Sequence, residues 1–124
     1  QPWRIILTHD ASSIPADSIC LTDEFRDRTL VVENVFNYLE LLKKLYNDKK
    51  IGTILLEAGG CLVREFLKAG LVDEWVGFYA PIIIGGGADG VAPGPFLEHE
   101  AHLEQPVVNI FGDDVCIRGD ICYR

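Results

Sequence analysis

The sequence lacks several features that would place it in a narrow class. None of its 124 residues is methionine, only two are tryptophan, and the four cysteines are Cys20, Cys61, Cys116 and Cys122. No cysteine pair has CxxC spacing and no cluster has zinc-site spacing, so free thiols and no metal are expected. The apolar runs fall short of the roughly 20 residues that span a bilayer, and no leader pattern opens the chain. We therefore expect a cytoplasmic protein with no membrane contact.

Basic residues are also scarce. The chain has 11 Lys and Arg against 19 Asp and Glu, which gives a formal net charge of -8 at pH 7. A broad surface that binds the phosphates of DNA or RNA needs an excess of basic residues, so no nucleic-acid partner is expected. A small phosphorylated ligand is still compatible with this charge, because helix N-termini hold phosphates even in acidic proteins. Hydrophobic residues make up 48% of the chain, which is enough for one folded domain over residues 1–124.

Strand and helix patterns alternate along the chain. The periodicities predict strands at 3–8, 30–32, 51–57 and 75–84, helices at 38–47 and from Leu62 to a stop at Gly70, and a hairpin of 107–111 with 115–123. Asn37 and Glu40 are a predicted capping pair for the first helix. The almost wholly apolar 75–84 strand is expected near the centre of the sheet. This order predicts a three-layer α/β domain with a mostly parallel sheet and a C-terminal antiparallel hairpin.

The turn after the 51–57 strand is the most informative candidate site. Glu57 ends the predicted strand, and Gly59 and Gly60 lead into the next helix, followed by Cys61 and Leu62. In α/β proteins such turns bind phosphates and dinucleotides at the helix N-terminus. Glycine also occurs there for backbone reasons alone, and the Glu57 carboxylate suits either a sugar hydroxyl or a plain surface position. The residues alone therefore support both a ligand-binding turn and a turn that needs glycine only for its backbone.

Three other patterns predict loops or turns. The GxGxxG spacing at 85–90 is followed by prolines and no helix, so 85–95 is interpreted as a loop and not as a dinucleotide fingerprint. His99 and His102 lack the HExxH spacing of a metal helix, which favours a solvated loop. His9 with Asp10 fits a strand-end turn better than a proton relay.

Several segments, taken in order, resemble a known family. They are Glu57-Ala58-Gly59-Gly60, Gly70-Leu71-Val72-Asp73-Glu74, Ala80-Pro81-Ile82-Ile83-Ile84-Gly85-Gly86 and the hairpin Gly112-Asp113-Asp114-Val115. Their succession is similar to the reductase domain of riboflavin biosynthesis, the C-terminal domain of bifunctional riboflavin deaminase-reductase proteins. The resemblance covers essentially all of the chain from Trp3 onward.

The resemblance implies a dihydrofolate-reductase-like fold and an activity. Family members use NADPH to reduce the ribosyl group of 5-amino-6-(5-phosphoribosylamino)uracil, a phosphorylated pyrimidine. By this resemblance Glu57 would contact the ribosyl part of the substrate, and the cofactor would lie against Gly59, Gly60, Cys61 and Leu62. No catalytic residue is assigned. Family members commonly pair through this domain, so a homodimer is expected.

One departure from the family bears on these expectations. The family domain begins with a Lys-x-Ala-x-Ser-x-Asp-Gly-like substrate motif and a Val-Gly-x-x-Thr cofactor motif, and neither occurs in the 124 residues. We therefore expect the C-terminal portion of such a domain, with a complementing N-terminal segment as a candidate partner. Two alternatives are a non-catalytic half-domain that acts by association, and a reductase of the same fold that acts on another heterocycle.

Overall fold

A computed structural model describes residues 1–83, 92–93 and 97–124. These residues form two compact units, Gln1–Gly52 and Thr53–Arg124, and each is considered by itself. Apart from residues 92 and 93, the loop predicted at 85–95 lies outside the described residues. Among the described helices, none is both long enough and apolar enough to cross a membrane.

The first unit contains a two-stranded parallel sheet. Strand β1 is Arg4–Thr8 and strand β2 is Thr29–Glu33, with Ile5 opposite Leu30 and Leu7 opposite Val32. Short helical turns connect the strands: Ala11–Ser13, α1 at Ile19–Thr22, and Arg26–Arg28. Strand β1 begins one residue later than the predicted 3–8, and β2 exceeds the predicted 30–32 by one residue at each end, so both predicted strands are confirmed.

Helix α2, Tyr38–Lys49, completes this unit. The Asn37 side chain accepts a hydrogen bond from the Glu40 amide at 3.1 Å, which is the predicted N-terminal cap. Leu45 is the buried residue of the helix. Near its C-terminal end, the Lys49 ammonium lies 4.6 Å from the centre of the Trp3 ring, within the range of a cation–π interaction.

The second unit begins with a stretch that has no regular secondary structure, followed by helix α3, Gly60–Lys68. Gly70 has a φ of 65°, the left-handed conformation that glycine adopts without strain. Its amide bonds to the Leu67 carbonyl at 3.0 Å, and the Leu71 amide bonds to the Phe66 carbonyl at 3.0 Å. These two bonds are the Schellman arrangement, which confirms the predicted stop of the helix.

A three-stranded antiparallel sheet follows. Its strands are β3 (Glu74–Tyr79), β4 (Ala101–Phe111) and β5 (Asp114–Tyr123), in the order β3-β5-β4. Gly112, with a φ of 63°, starts the short turn between β4 and β5. The Tyr123 hydroxyl accepts from the Val72 amide and donates to the Val72 carbonyl, both at 3.0 Å. The predicted C-terminal hairpin is confirmed, and Tyr123 anchors the segment between α3 and β3.

Strand β4 begins earlier than predicted. The sequence from Glu104 to Pro106 resembles a loop, but a bulge accommodates it, with Gln105 at a φ of 44° and a shift in register between Glu104 and Val107. A bulge suits Pro106 because proline has no amide to donate to a neighbouring strand. His102 consequently lies in a strand, opposite Cys122, and the solvated loop predicted around it is wrong at this position.

Two further boundaries need correction. Segment 51–57 forms no strand, and its apolar side chains at Ile54 and Leu55 are 40% and 79% exposed. A strand requires a hydrogen-bonded neighbour, which composition alone does not supply. Strand β3 ends at Tyr79, short of the predicted end at residue 84, which is itself outside the described residues. The mixed α/β class is confirmed, but its parallel part is smaller than expected because segment 51–57 does not contribute to it.

Candidate functional site

The predicted ligand turn lies at the N-terminal end of α3. Glu57, Ala58 and Gly59 are exposed and belong to no regular element. Gly59 is the N-cap of α3, with a φ of -64° and a ψ of 157°, and no side chain caps the helix. Gly60 and Leu62 are half-buried, whereas Cys61 is exposed with a free thiol. The five sequence-predicted site residues therefore occupy one continuous turn.

The amides of this turn suit an anionic group. The Leu62 and Val63 amides donate to the Gly59 carbonyl at 3.0 Å and 3.2 Å, which begins the helical pattern. The amides of Gly60 and Cys61 precede these bonds, and the first amides of a helix have no acceptor within the helix. They are therefore available for a phosphate, and the partial positive charge of the helix end favours one. The residues present fit a nucleotide phosphate.

Gly59 lies in open space at the N-cap of α3. Its φ is one that any residue adopts, and a Cβ atom built there has no heavy atom within 4 Å. An alanine would therefore fit without strain. Glycine is a favoured N-cap residue, and it also permits the close approach of a group from outside the chain, so this position is compatible with both the backbone and the ligand interpretation of the turn.

The carboxylates with shifted pKa values lie elsewhere, in the first unit. Hydrogen bonds from the side chain and backbone of Ser12 lower the pKa of Asp10, which caps the short helix at Ala11–Ser13. A two-point contact from Arg4, at 2.6 and 2.8 Å, lowers the pKa of Asp23. Both groups have structural partners, and the strand-end turn predicted for His9 and Asp10 is confirmed.

A cavity lies at the opposite end of α3. It has a volume of about 190 Å³ and is lined by residues that include Leu67, Gly70, His99 and Tyr123. Since α3 has nine residues and each rises about 1.5 Å, the cavity and the Glu57 turn are separated by roughly 13 Å. The predicted site is an open turn and does not coincide with this cavity. Among the described residues that line the cavity, no buried side-chain nitrogen or oxygen atom lacks a hydrogen-bond partner.

Metal chemistry has little basis in the described part of the chain. His102 lies 2.9 Å from the Glu100 carboxylate, but two groups are too few for a site. Across residues 1–83, 92–93 and 97–124, no three His, Cys, Asp or Glu side chains are grouped to hold an ion.

The antiparallel sheet carries an aromatic patch that the sequence did not predict. The register places Val76, Phe78, Val107 and Phe111 on one face. The rings of Phe78 and Phe111 lie 6.0 Å apart, although their side chains are 64% and 59% exposed. The sequence signal for this patch was the alternation of apolar residues in β3 and β4. Both strands pair with β5, and only that pairing shows which apolar side chains contact each other.

Comparison with known proteins identifies the family. The model of the RibD C-terminal domain matches residues 1–117, which is nearly the whole chain. The chain belongs to the RibD C-terminal domain family. The recognition made from the ordered motifs of the sequence is thereby confirmed.

Curated relatives in this family are longer proteins. The chain is 35% identical over 95 residues to the riboflavin biosynthesis protein RibD of Escherichia coli (strain K12), covering 73% of this chain and 26% of that protein. It is 33% identical over 86 residues to the protein of the same name from Mycobacterium tuberculosis, covering 69% of this chain and 23% of that one. The chain thus spans about a quarter of the length of the relatives it matches.

Solved structures support the same fold. Acinetobacter baumannii RibD superposes with a TM-score of 0.81 at 24% identity, over 98% of this chain and 38% of that one. A pyrimidine reductase-like protein from Corynebacterium diphtheriae has a TM-score of 0.59 at 16% identity, over 95% of this chain and 50% of that one. At these identities the likeness concerns the fold alone.

Proposed function

We propose that this chain forms part of an NADPH-dependent reductase of riboflavin biosynthesis. Its substrate would be 5-amino-6-(5-phosphoribosylamino)uracil, whose ribosyl group is reduced. The observation that carries the proposal is the family match over residues 1–117, combined with relatives that are named for riboflavin biosynthesis. We also propose a cytoplasmic location, the compartment where such a cofactor is available.

The turn at the start of α3 is the proposed binding element. The amides of Gly60 and Cys61 would donate to a phosphate of the dinucleotide, and Gly59 would let its backbone approach. Leu62, half-buried on the same turn, would contact the apolar part of the cofactor. When bound, the cofactor supplies the hydride, and the protein supplies position and orientation.

Glu57 is proposed to orient the substrate. Its side chain is exposed at the start of this turn, where a carboxylate can accept a hydrogen bond from a ribosyl hydroxyl. A hydrogen bond to a charged acceptor contributes about 1.5–3 kcal/mol, which corresponds to roughly a 10- to 100-fold change in rate. We assign Glu57 an orienting role and no proton transfer.

The test compares Glu57→Gln with Glu24→Gln, which removes one negative charge from an exposed position of the other unit. NADPH fluorescence is titrated with each variant, and turnover of the phosphoribosyl substrate is followed with the same proteins. Because glutamine keeps a neutral acceptor, we expect Glu57→Gln to lower turnover about 5- to 10-fold and Glu24→Gln to have no effect. Full turnover of Glu57→Gln removes this residue from the site, and unchanged NADPH fluorescence with the parent protein refutes the cofactor assignment.

The aromatic patch supports a second candidate, a half-domain that acts by association. Exposed apolar clusters rimmed by polar residues are typical of protein interfaces, and Arg118 and Glu74 form an ion pair beside this one. A homodimer or a complementing N-terminal segment is the proposed partner. Sedimentation at micromolar concentration tests the first: a monomer whose mass does not change with concentration contradicts the homodimer. Catalysis and association are compatible, so this candidate does not replace the reductase.

A further inference from the structure

The cavity at the C-terminal end of α3 combines an apolar inner part with a polar outer part. Its less exposed lining residues are aliphatic or aromatic: Leu67, Leu97 and Tyr123. Glu98 and His99, which also line it, are exposed to solvent. A cavity of about 150 Å³ can hold a benzene ring. The volume here, about 190 Å³, therefore admits one ring with a short substituent.

Tyr123 contributes its aromatic ring to the inner part. The hydroxyl of this residue accepts from the Val72 amide and donates to the Val72 carbonyl, so the polar end of the side chain is already bonded. What Tyr123 offers to a ligand is therefore its ring. The face of an aromatic ring carries partial negative charge and attracts a cation, most strongly where water is excluded.

The end of α3 adds negative charge to the lining. The peptide dipoles of a helix place a partial negative charge at its C-terminal end, which here consists of Lys68 and the C-cap Ala69, both in the lining. Among the described residues, no backbone amide donates to the carbonyl of Lys68 or of Ala69. An ammonium group has three donors for such carbonyls, whereas an anion has none. The helix end therefore favours a cation.

Charged side chains of the outer part modify this preference in both directions. The Glu98 carboxylate attracts a cation, and the His99 ring has a nitrogen that can accept a hydrogen bond from one. The Lys68 ammonium repels a cation, but this side chain is exposed and its long stem lets the charged end extend into water. The carboxylate and the helix end therefore outweigh the lysine.

We propose that this cavity binds a small organic cation, a primary ammonium carried on one apolar ring. The ring would contact Leu67 and Tyr123, and the ammonium would donate to the free carbonyls at the end of α3 and to the Glu98 carboxylate. The proposal does not depend on the reductase assignment, because the cavity and the Glu57 turn lie at opposite ends of α3.

The experiment uses benzylammonium as the probe and compares it with benzyl alcohol and benzoate, which keep the ring and replace the charged group. Each compound is titrated into the chain at neutral pH, and binding is followed by the NMR shifts of the Gly70, Leu97 and Tyr123 amides. We expect benzylammonium to bind about fivefold or more tightly than benzyl alcohol, and benzoate to bind weakest. Equal binding of benzylammonium and benzyl alcohol, or no saturable shift with benzylammonium, overturns the proposal.

Two variants with opposite expected effects test the charges of the outer part. Glu98→Gln should weaken benzylammonium binding about two- to fivefold, and Lys68→Gln should tighten it by a similar factor. Both side chains are exposed, so neither change should alter folding. Glu24→Gln, which removes the same charge from the other unit, is the control and should leave the affinity unchanged. If Glu98→Gln and Lys68→Gln bind the probe as the control does, these charges play no part and the proposal fails.

Discussion

The double hydrogen bond of Tyr123 makes a quantitative prediction about the second unit. The hydroxyl both accepts from the Val72 amide and donates to the Val72 carbonyl, each at 3.0 Å. Tyr123→Phe keeps the ring and removes both bonds, leaving a backbone donor and a backbone acceptor without this partner in a half-buried position.

The expected loss follows from these two bonds. Each contributes about 1 kcal/mol net, so Tyr123→Phe should lower the free energy of unfolding by about 2 kcal/mol. For 124 residues, with an unfolding entropy of roughly 2 cal/mol/K per residue, this corresponds to a fall of about 8 °C in the midpoint.

Urea unfolding followed by circular dichroism measures the effect. Tyr46→Phe is the matched control, because its side chain on α2 is 59% exposed, so water replaces any bond its hydroxyl makes. The control should change the free energy by less than about 0.5 kcal/mol, as surface substitutions usually do. A loss that small for Tyr123→Phe as well would refute the role given to this hydroxyl.

Two other predictions concern the first unit and the end of α3. The hydrogen bond from Arg4 lowers the pKa of Asp23 below its ordinary value of 3.8. The stabilisation from this contact is therefore present above that value and is lost as the pH falls through the folded-state pKa. Asp23→Asn should consequently show a smaller acid-induced fall in unfolding midpoint between pH 5 and pH 2 than the parent chain, and an equal fall would contradict this account. Gly70→Ala should cost about 1 kcal/mol of stability because φ is 65° there, whereas Gly52→Ala, with open space around it, should be neutral in the same urea titration.

Local rules predicted much of the fold from the sequence. The Asn37 cap, the stop at Gly70 and the turn at Gly112 each depend on a few neighbouring residues, so a short stretch of sequence contains the required information. Segment 51–57 could not be placed in this way, because strand formation depends on a partner distant in sequence. The early start of β4 could not be predicted for a related reason. The bulge at Gln105, which accommodates Pro106 within the strand, is defined by the pairing of β4 with β5.

The candidate site was predictable to a similar extent. The turn from Glu57 to Leu62 could be located from its spacing, and the structure leaves its amides and the Gly59 approach open. The roles of these residues remain predictions. The aromatic patch was missed because Phe78 and Phe111 are separated by 32 intervening positions, and only the strand order brings their rings together.

Each unit contains one tryptophan, which can serve as a fluorescence probe of that unit. Trp3 lies under the Lys49 ammonium in the first unit. Trp75 lies in the second unit, with its indole nitrogen close to Gly77: a Cβ atom added to that glycine would be 2.6 Å from the nitrogen. Replacing one indole at a time by phenylalanine leaves a single emitter in either unit. Coincident melting curves from the two emitters would mean that Gln1–Gly52 and Thr53–Arg124 lose structure as one cooperative body, and separated curves would mean that each melts independently.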